Sequence, residues 1–360
     1  MKFDIVVLPG DGIGPEVVAE GVRVLEAVGK RYGHTFNRFE DLVGAVAIEK
    51  YGIALRPETM KRARSSKAIL FGAVGDPKGD DARIIREALF PLRKDFGLYA
   101  NLRPIKVHPS LVNSTPLKPE VIRGVDLLVI RELTGGLYFG KPKRQWQNAS
   151  GRQGVDSLRY SEKEIKRILK VGFDLARQRR KKLTSVDKAN VLETSRLWRK
   201  IAGEMSAEYP DVKLDHLYVD NCGMQLLRQP TVFDVIVTEN TFGDILTDEA
   251  SVLMGSIGMA PSASLGKPRK DGTSFGLYEP IHGTAPDIVG QSKANPLATI
   301  LSVAMLLRHS LGLAQEAKAV EDAVEQVLQQ GYRTPDLATA GQKAVTTAQM
   351  GKAVVDAVLS

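Results

Sequence analysis

Asp244 and Asp248, in the segment Phe242-Gly-Asp-Ile-Leu-Thr-Asp248, are the residues whose types and spacing most directly suggest chemistry. On a helix, a spacing of four puts both carboxylates on one face, one turn apart. Like charges so placed repel by roughly a few tenths of a kcal/mol unless a cation neutralises them, and a divalent metal ion would do so. The plainer reading is a helix start, with Asn240 or Thr241 as its cap and Asp244 suited to the positive helix end. Asp220, closing Leu217-Tyr-Val-Asp220, supplies a third carboxylate. The chain has five histidines, none paired at metal-binding spacing, and one cysteine. An oxygen-only donor set favours Mg²⁺ or Mn²⁺ over Zn²⁺. Cys222 has no histidine constellation around it and reads as a structural thiol.

Arg93, Arg103 and Arg131 sit in apolar-flanked settings, and Arg131 ends a predicted buried strand, where parallel-sheet proteins place ligands. Guanidinium groups grip carboxylates bidentately, so three of them suit a dicarboxylate. Structural pairing, for instance of Arg131 with Glu132 or Glu87, is the alternative. Tyr138 and Lys188 each follow a predicted strand end and can carry protons when burial or neighbours shift their pKa. Gly10-Asp-Gly-Ile-Gly14 follows the first strand, but its spacing departs from the dinucleotide fingerprint and Pro15 comes at once. Glu40 and Asp41 lie beyond the usual offset of the ribose-binding acid. No pyrophosphate is placed there. The stretch from Glu279 to Asp287, with Asn295-Pro296 after it, is dense in polar and turn residues and suits either adenosine or a surface connection.

The elements that must hold these groups alternate strand with helix, the α/β signature. Phe3 to Leu8 is a β-rich apolar run, and a helix starts near Pro15. Ala68 to Val74, ending in Gly75-Asp-Pro77, reads as a buried parallel strand and its turn. Gly124 to Arg131, Lys182 to Asp187 and Phe233 to Thr238 are further strands. Ser161-x-x-Glu164 is a capping box for a helix with one apolar stripe. Residues 134–160 lack helical periodicity and look like a protruding arm. Residues 255–276 read as a Gly/Ser/Pro-rich loop, and Leu297 to Leu307 as a buried helix too short to span a bilayer.

With 360 residues, 43% hydrophobic and 26% charged, the chain suggests a globular protein of two domains. One cysteine excludes an internal disulfide and fits a reducing compartment, and the first residues do not read as a secretion signal. The net charge of +8 suits anionic substrates or nucleic acid. Its densest basic run, Arg177 to Lys182, reads as a solvated helix end.

Taken together, LPGDGIGPE (8–16), LRKDFGLYANLRP (92–104), RELTGGLYFG (131–140), SVDKANVLE (185–193), YVDNCGMQL (218–226), FGDILTDEAS (242–251), PSASLG (261–266), EPIHGTAPDIVG (279–290) and ANPLATILS (294–302) resemble the β-decarboxylating dehydrogenases, the isocitrate/isopropylmalate dehydrogenase family. The resemblance runs the length of the chain. It implies a two-domain fold with a large mixed sheet flanked by helices, not a Rossmann fold. The first, cofactor-side domain would take 1–98 and 255–360, and the second 99–254, with a dimerisation arm and the metal-binding helix. The implied activity is metal-dependent oxidative decarboxylation of 3-isopropylmalate with NAD, or of D-malate, tartrate or homoisocitrate. A non-catalytic anion- or nucleic-acid-binding protein is the reading from another class.

By position, the resemblance implies that Arg93, Arg103 and Arg131 clamp substrate carboxylates. Asp220, Asp244 and Asp248 would hold Mg²⁺ or Mn²⁺, Asp220 also meeting the substrate. Lys188 would act in deprotonating the hydroxyl through water, and Tyr138 would protonate the enolate. Lys188 and Asp220 would come from the neighbouring subunit of a homodimer. Ile13, Asn190, Glu279, His282, Gly283, Asp287 and Asn295 would bind NAD, the acid at Asp287 matching NAD rather than NADP. Leu89 would meet the isopropyl group, within an apolar wall of Ile85, Ala88, Leu89 and Phe90. Arg86 stands where many relatives carry a glutamate, with Glu87 one residue away. A cytoplasmic enzyme using neither nucleic acid nor membrane is expected.

Overall fold

The computed structural model describes residues 1–75 and 81–360; Asp76-Pro77 of the expected turn lies outside the described residues. The chain divides into two compact units. The first holds Met1–Leu98, Val107–Pro119 and Ser251–Ser360, and the second Tyr99–Lys106 and Glu120–Ala250.

In the first unit the strand order is Thr35–Glu40, Lys2–Gly10, Ala68–Ala73, Ser274–Pro280, Pro261–Pro268. The first four run parallel and the last is antiparallel. Ala68–Ala73 is buried throughout, which explains its unbroken apolar sequence. The helix Gly14–Tyr32 begins with a proline in its first turn, where a missing N–H costs nothing. The helix Leu297–His309 is apolar nearly all round because it is buried nearly all round.

The expected loop over 255–276 is instead half strand. Pro261–Pro268 pairs with Ser274–Pro280, and Ser262, Ala263 and Ser264 are fully buried. Its small residues, which read as loop by composition, let the helix Leu297–His309 approach until the Ser262 N–H donates to Ser302 Oγ at 3.4 Å.

In the second unit the order is Ala100–Lys106, Asp126–Glu132, Val235–Thr238, Lys182–Asp187, Lys213–Tyr218. The first strand is antiparallel and the other four are parallel. The mixed helix-flanked sheet follows the expectation, and each unit carries the same ratio of strand directions. Thr238 lies opposite Arg131 on one neighbouring strand and Val186 on the other. The carboxyl ends of three parallel strands therefore present Arg131, Lys188 and the residues after Thr238 at one edge, where open α/β sheets bind ligands. The helix Glu162–Arg177 has both halves of its capping box. Residues 143–148 and 151–156 form a hairpin apart from the main sheet, its first strand fully exposed.

Candidate active site

The helix Asn240–Ser251 starts two residues after the strand Val235–Thr238. The expected cap, Asn240 or Thr241, is not the one used. Glu239, 5% exposed, accepts the Phe242 N–H at 2.7 Å and the Tyr160 hydroxyl at 3.4 Å. A glutamate serves here because its carboxylate is enclosed at the positive helix end; burial raises its pKa and those backbone bonds oppose the rise. Asn240 is thereby released for other partners. It is fully buried, its Oδ1 accepts from Arg131 Nε at 2.9 Å, and its Nδ2 donates to the Gly135 carbonyl at 3.1 Å.

Asp244 is the centre of the second unit's cluster. One of its oxygens accepts from Arg131 Nη1, and the other accepts the Tyr138 hydroxyl at 2.9 Å. Arg103 Nη2 lies 3.8 Å from Asp244 and Arg103 Nη1 lies 3.6 Å from Asp248. Arg103 also donates to Thr247, between the two aspartates on the same helix. The four-residue spacing thus puts both carboxylates on one face, with cations laid across them. Gly243 makes this possible, because a Cβ there would stand 2.6 Å from Arg131 Cγ. Burial, and then the Asp244 carboxylate, push the Tyr138 hydroxyl up to about 12, so it stays protonated at neutral pH. Arg131 pairs with Asp244; Glu132 is buried and is met by Arg167 at 2.9 Å.

Lys188 and Asp220 form their own pair, Nζ to Oδ1 at 2.6 Å. Asp220 lies in the first turn of the helix Val219–Arg228, and the Lys188 hydrogen bond holds its carboxyl below the usual range. The Lys188 backbone is fixed by its N–H donating to Ser195 Oγ at 3.0 Å. Among the described residues, no three His, Cys, Asp or Glu side chains lie close enough to hold a metal ion. Asp220 therefore does not join Asp244 and Asp248 within one chain. The donors that are together, two carboxylates one helical turn apart, fit a hard cation that takes its remaining ligands elsewhere.

The first unit gathers the other predicted residues. Arg93 and Glu279 are mostly buried and pair at 3.4 Å, and Arg93 Nε is buried without a partner. Leu89 ends a π-helical turn, Ile85–Leu89, and packs against the core beside Leu92 and Ala88. Such single-turn widenings recur at functional sites. Glu87 is exposed and tied to Arg83 at 2.8 Å, while Arg86 is exposed. Ile13 is buried against Val17 and Ala294. Asn295 lies just before the helix Leu297–His309, accepting the Leu297 N–H at 3.0 Å, and its amide donates to Asp336 at 3.0 Å. His282 is buried, which lowers its pKa, and its Nε2 has no partner. Gly283 and Asp287 are exposed on the same loop. An orphaned imidazole nitrogen and an open carboxylate on an exposed loop fit a nucleoside with ribose hydroxyls to donate. Asn190, in the second unit, is exposed in the turn after Lys188.

Residues 4–354 match the family described as isocitrate/isopropylmalate dehydrogenase. The chain belongs to this family. As a member of the isocitrate/isopropylmalate dehydrogenases it is an oxidoreductase. It is 56% identical over 359 residues to 3-isopropylmalate dehydrogenase of Dehalococcoides mccartyi, covering 98% of each chain. To the enzyme of that name from Moorella thermoacetica it is 58% identical over 356 residues, again covering 98% of each. Among solved structures, isocitrate dehydrogenase from Methylococcus capsulatus matches with TM-score 0.87 at 36% identity, over 99% of this chain and 100% of that one. A β-decarboxylating dehydrogenase from Thermococcus kodakarensis matches with TM-score 0.78 at 33% identity, over 99% and 96%.

Glu239 and Gly243 of this family member escaped the reading of the sequence, as did the pairing of Asn240 with Arg131. The signal was there: an acid and an amide precede the aspartate helix, and a glycine sits inside its first turn, where propensity disfavours it. The basic run Arg177 to Lys182 lies at the end of the helix Glu162–Arg177, with Arg177, Arg180 and Lys181 exposed, as a solvated helix end requires. Arg179 meets the buried Asp234 at 2.8 Å and Asp126 at 2.8 Å, and Arg177 meets Asp211. Through Arg179 it also ties the helix end to strand ends. Cys222 is fully buried, and burial pushes its thiol up to about 12. Among the described residues, no helix is long and apolar enough to cross a membrane.

Proposed function

We propose that this chain catalyses oxidative decarboxylation of 3-isopropylmalate to 4-methyl-2-oxopentanoate with NAD and Mg²⁺ or Mn²⁺, a step of leucine biosynthesis, as a cytoplasmic homodimer. The observation that carries the reading is the convergence of two guanidinium groups and a tyrosine hydroxyl on Asp244, in a chain 56–58% identical along nearly its whole length to enzymes of that name.

Asp244 and Asp248, with Asp220 of a second copy, would hold the divalent cation, which when bound would supply Lewis-acid polarisation of the substrate oxygen, and NAD⁺ would supply the hydride acceptor for C2. Arg93, Arg103 and Arg131 hold the substrate's carboxylates, and Leu89 meets its isopropyl group. Lys188 accepts the hydroxyl proton through water. Tyr138, protonated at neutral pH, donates a proton to C3 after CO₂ leaves. Asp220 and Lys188 serve the partner subunit's site, which accounts for their meeting each other rather than Asp244. The hairpin of residues 143–156 is the arm that clasps the second copy. Ile13, Asn190, Glu279, His282, Gly283, Asp287 and Asn295 receive the dinucleotide.

The test is NADH formation from 3-isopropylmalate, NAD⁺ and Mn²⁺, with and without a chelator. A signal that the chelator abolishes, and that D-malate or NADP⁺ gives weakly, is the expected result. Turnover of D-malate, tartrate or homoisocitrate in its place would overturn the role of Leu89 and keep the mechanism.

A further inference from the structure

The Gly10-Asp-Gly-Ile-Gly-Pro-Glu16 turn resembles a phosphate-binding loop in composition only. Its glycines are crowded by the protein itself. A Cβ at Gly10 would stand 1.9 Å from the Ala73 carbonyl oxygen, and one at Gly12 2.2 Å from the Thr284 carbonyl oxygen. Gly12 also has φ +59°, a left-handed conformation that favours glycine. The turn is therefore pressed against the loop between Pro280 and Leu297, whose only regular element is the short turn Pro286–Ile288.

Two hydrogen bonds join them. The Ile13 N–H donates to the Thr284 carbonyl at 2.9 Å, and the Gly290 N–H donates to Glu16 Oε1 at 2.6 Å. The second Glu16 oxygen is buried with no hydrogen-bond partner, so the Gly290 bond is what offsets enclosing this carboxylate. These bonds fall on either side of Asp287. Between them Ala285 is held at φ +41°, unusual for a residue with a side chain. A loop with little secondary structure of its own is thus pinned at two points.

We propose that Glu16, with Gly12 as the close-packed seat, is a positioning residue for dinucleotide binding. It acts through the loop His282–Gly290 and does not touch the ligand. The inference rests on assigning that loop to NAD. Fixing it beforehand removes an ordering cost that binding would otherwise bear. The competing view gives Glu16 only the ordinary role of an acid in the first turn of the helix Gly14–Tyr32.

The experiment compares the full-length protein with Glu16→Ala and Glu16→Gln. Gln keeps the acceptor for the Gly290 N–H and removes the charge. In the ligand-free protein, Glu16→Ala should speed amide exchange at Gly290 by at least about tenfold, and Glu16→Gln should restore protection. NADH titration should show binding at least about fivefold weaker in Glu16→Ala, recovered in Glu16→Gln. KM for the hydroxy acid and kcat at saturating NAD⁺ should stay within about twofold, a split that general destabilisation would not give. Equal dinucleotide affinity in wild type and Glu16→Ala overturns the inference. So does a Glu16→Gln variant that behaves like Glu16→Ala, which would leave only the dipole role. A wild-type protein that binds no dinucleotide overturns the cofactor assignment itself, and this inference with it.

Discussion

The Asp244 cluster and the Lys188–Asp220 pair lie at the ends of neighbouring parallel strands and are built in opposite ways. The Asp244 side chain is 34% exposed and accepts from both Arg131 and Tyr138, with Arg103 alongside. Arg131 is anchored in turn by Asn240, and Gly243 leaves room for its stem. The Asp220 side chain is 60% exposed and pairs with Lys188. A group bonded on several sides has its geometry dictated by its own chain. A largely exposed pair contributes little to stability, so the proposed role of this one in the reaction can be tested apart from folding.

This contrast can be broken. The largest expected effect is from Lys188→Ala, which should lower kcat by roughly a thousandfold while Tm moves by no more than about 1 °C. Steady-state rates with a thermal melt check both halves, and near-normal turnover would remove the lysine from the mechanism. Arg131→Met should lower kcat/KM by about a hundredfold and also cost about 2 kcal/mol, since it strands a partly buried carboxylate. Urea titration measures the second figure; unchanged stability would mean the cluster is no more built in than the exposed pair. Asn240→Ala should lower kcat/KM by about tenfold and stability by about 1 kcal/mol, because it frees the arginine and the Gly135 turn without removing a reacting group.

The smallest effect on activity lies outside both regions. Burial, and then Arg308, lower the His309 pKa to about 4 from an ordinary value of 6.5. Below about pH 6.5 the unfolded chain takes up a proton that the folded one refuses. Stability is therefore full above that pH and falls as pH drops toward 4. His309→Gln should flatten that segment of a stability–pH curve and leave kcat unchanged; an unaltered slope would exclude His309 as its source.

Much of this was legible in the sequence because the signals were local. The capping box at Ser161, the buried strand Lys182–Asp187 and the i, i+4 aspartates each follow from a few neighbouring residues. What escaped depends on distant neighbours. Pro261–Gly266 reads as loop by its small residues, yet those residues form a buried strand because a helix from another part of the chain lies close against it. Asn240 reads as a cap, but Glu239 takes that place and Arg131 claims the amide from 109 residues away. That Asp220 does not join the other two aspartates within one chain follows from no spacing rule and is expected only through the family resemblance, which assigns it to a neighbouring subunit.

The sealed thiol of Cys222 gives the experimenter a clean background. The only native sulfhydryl is closed to solvent and held protonated through the range in which maleimides react. A cysteine placed at Ser150, on the exposed tip of the hairpin, would then be the one site that takes a spin label. Pulsed dipolar spectroscopy on that single variant would read directly whether two arms meet in solution, and at what separation.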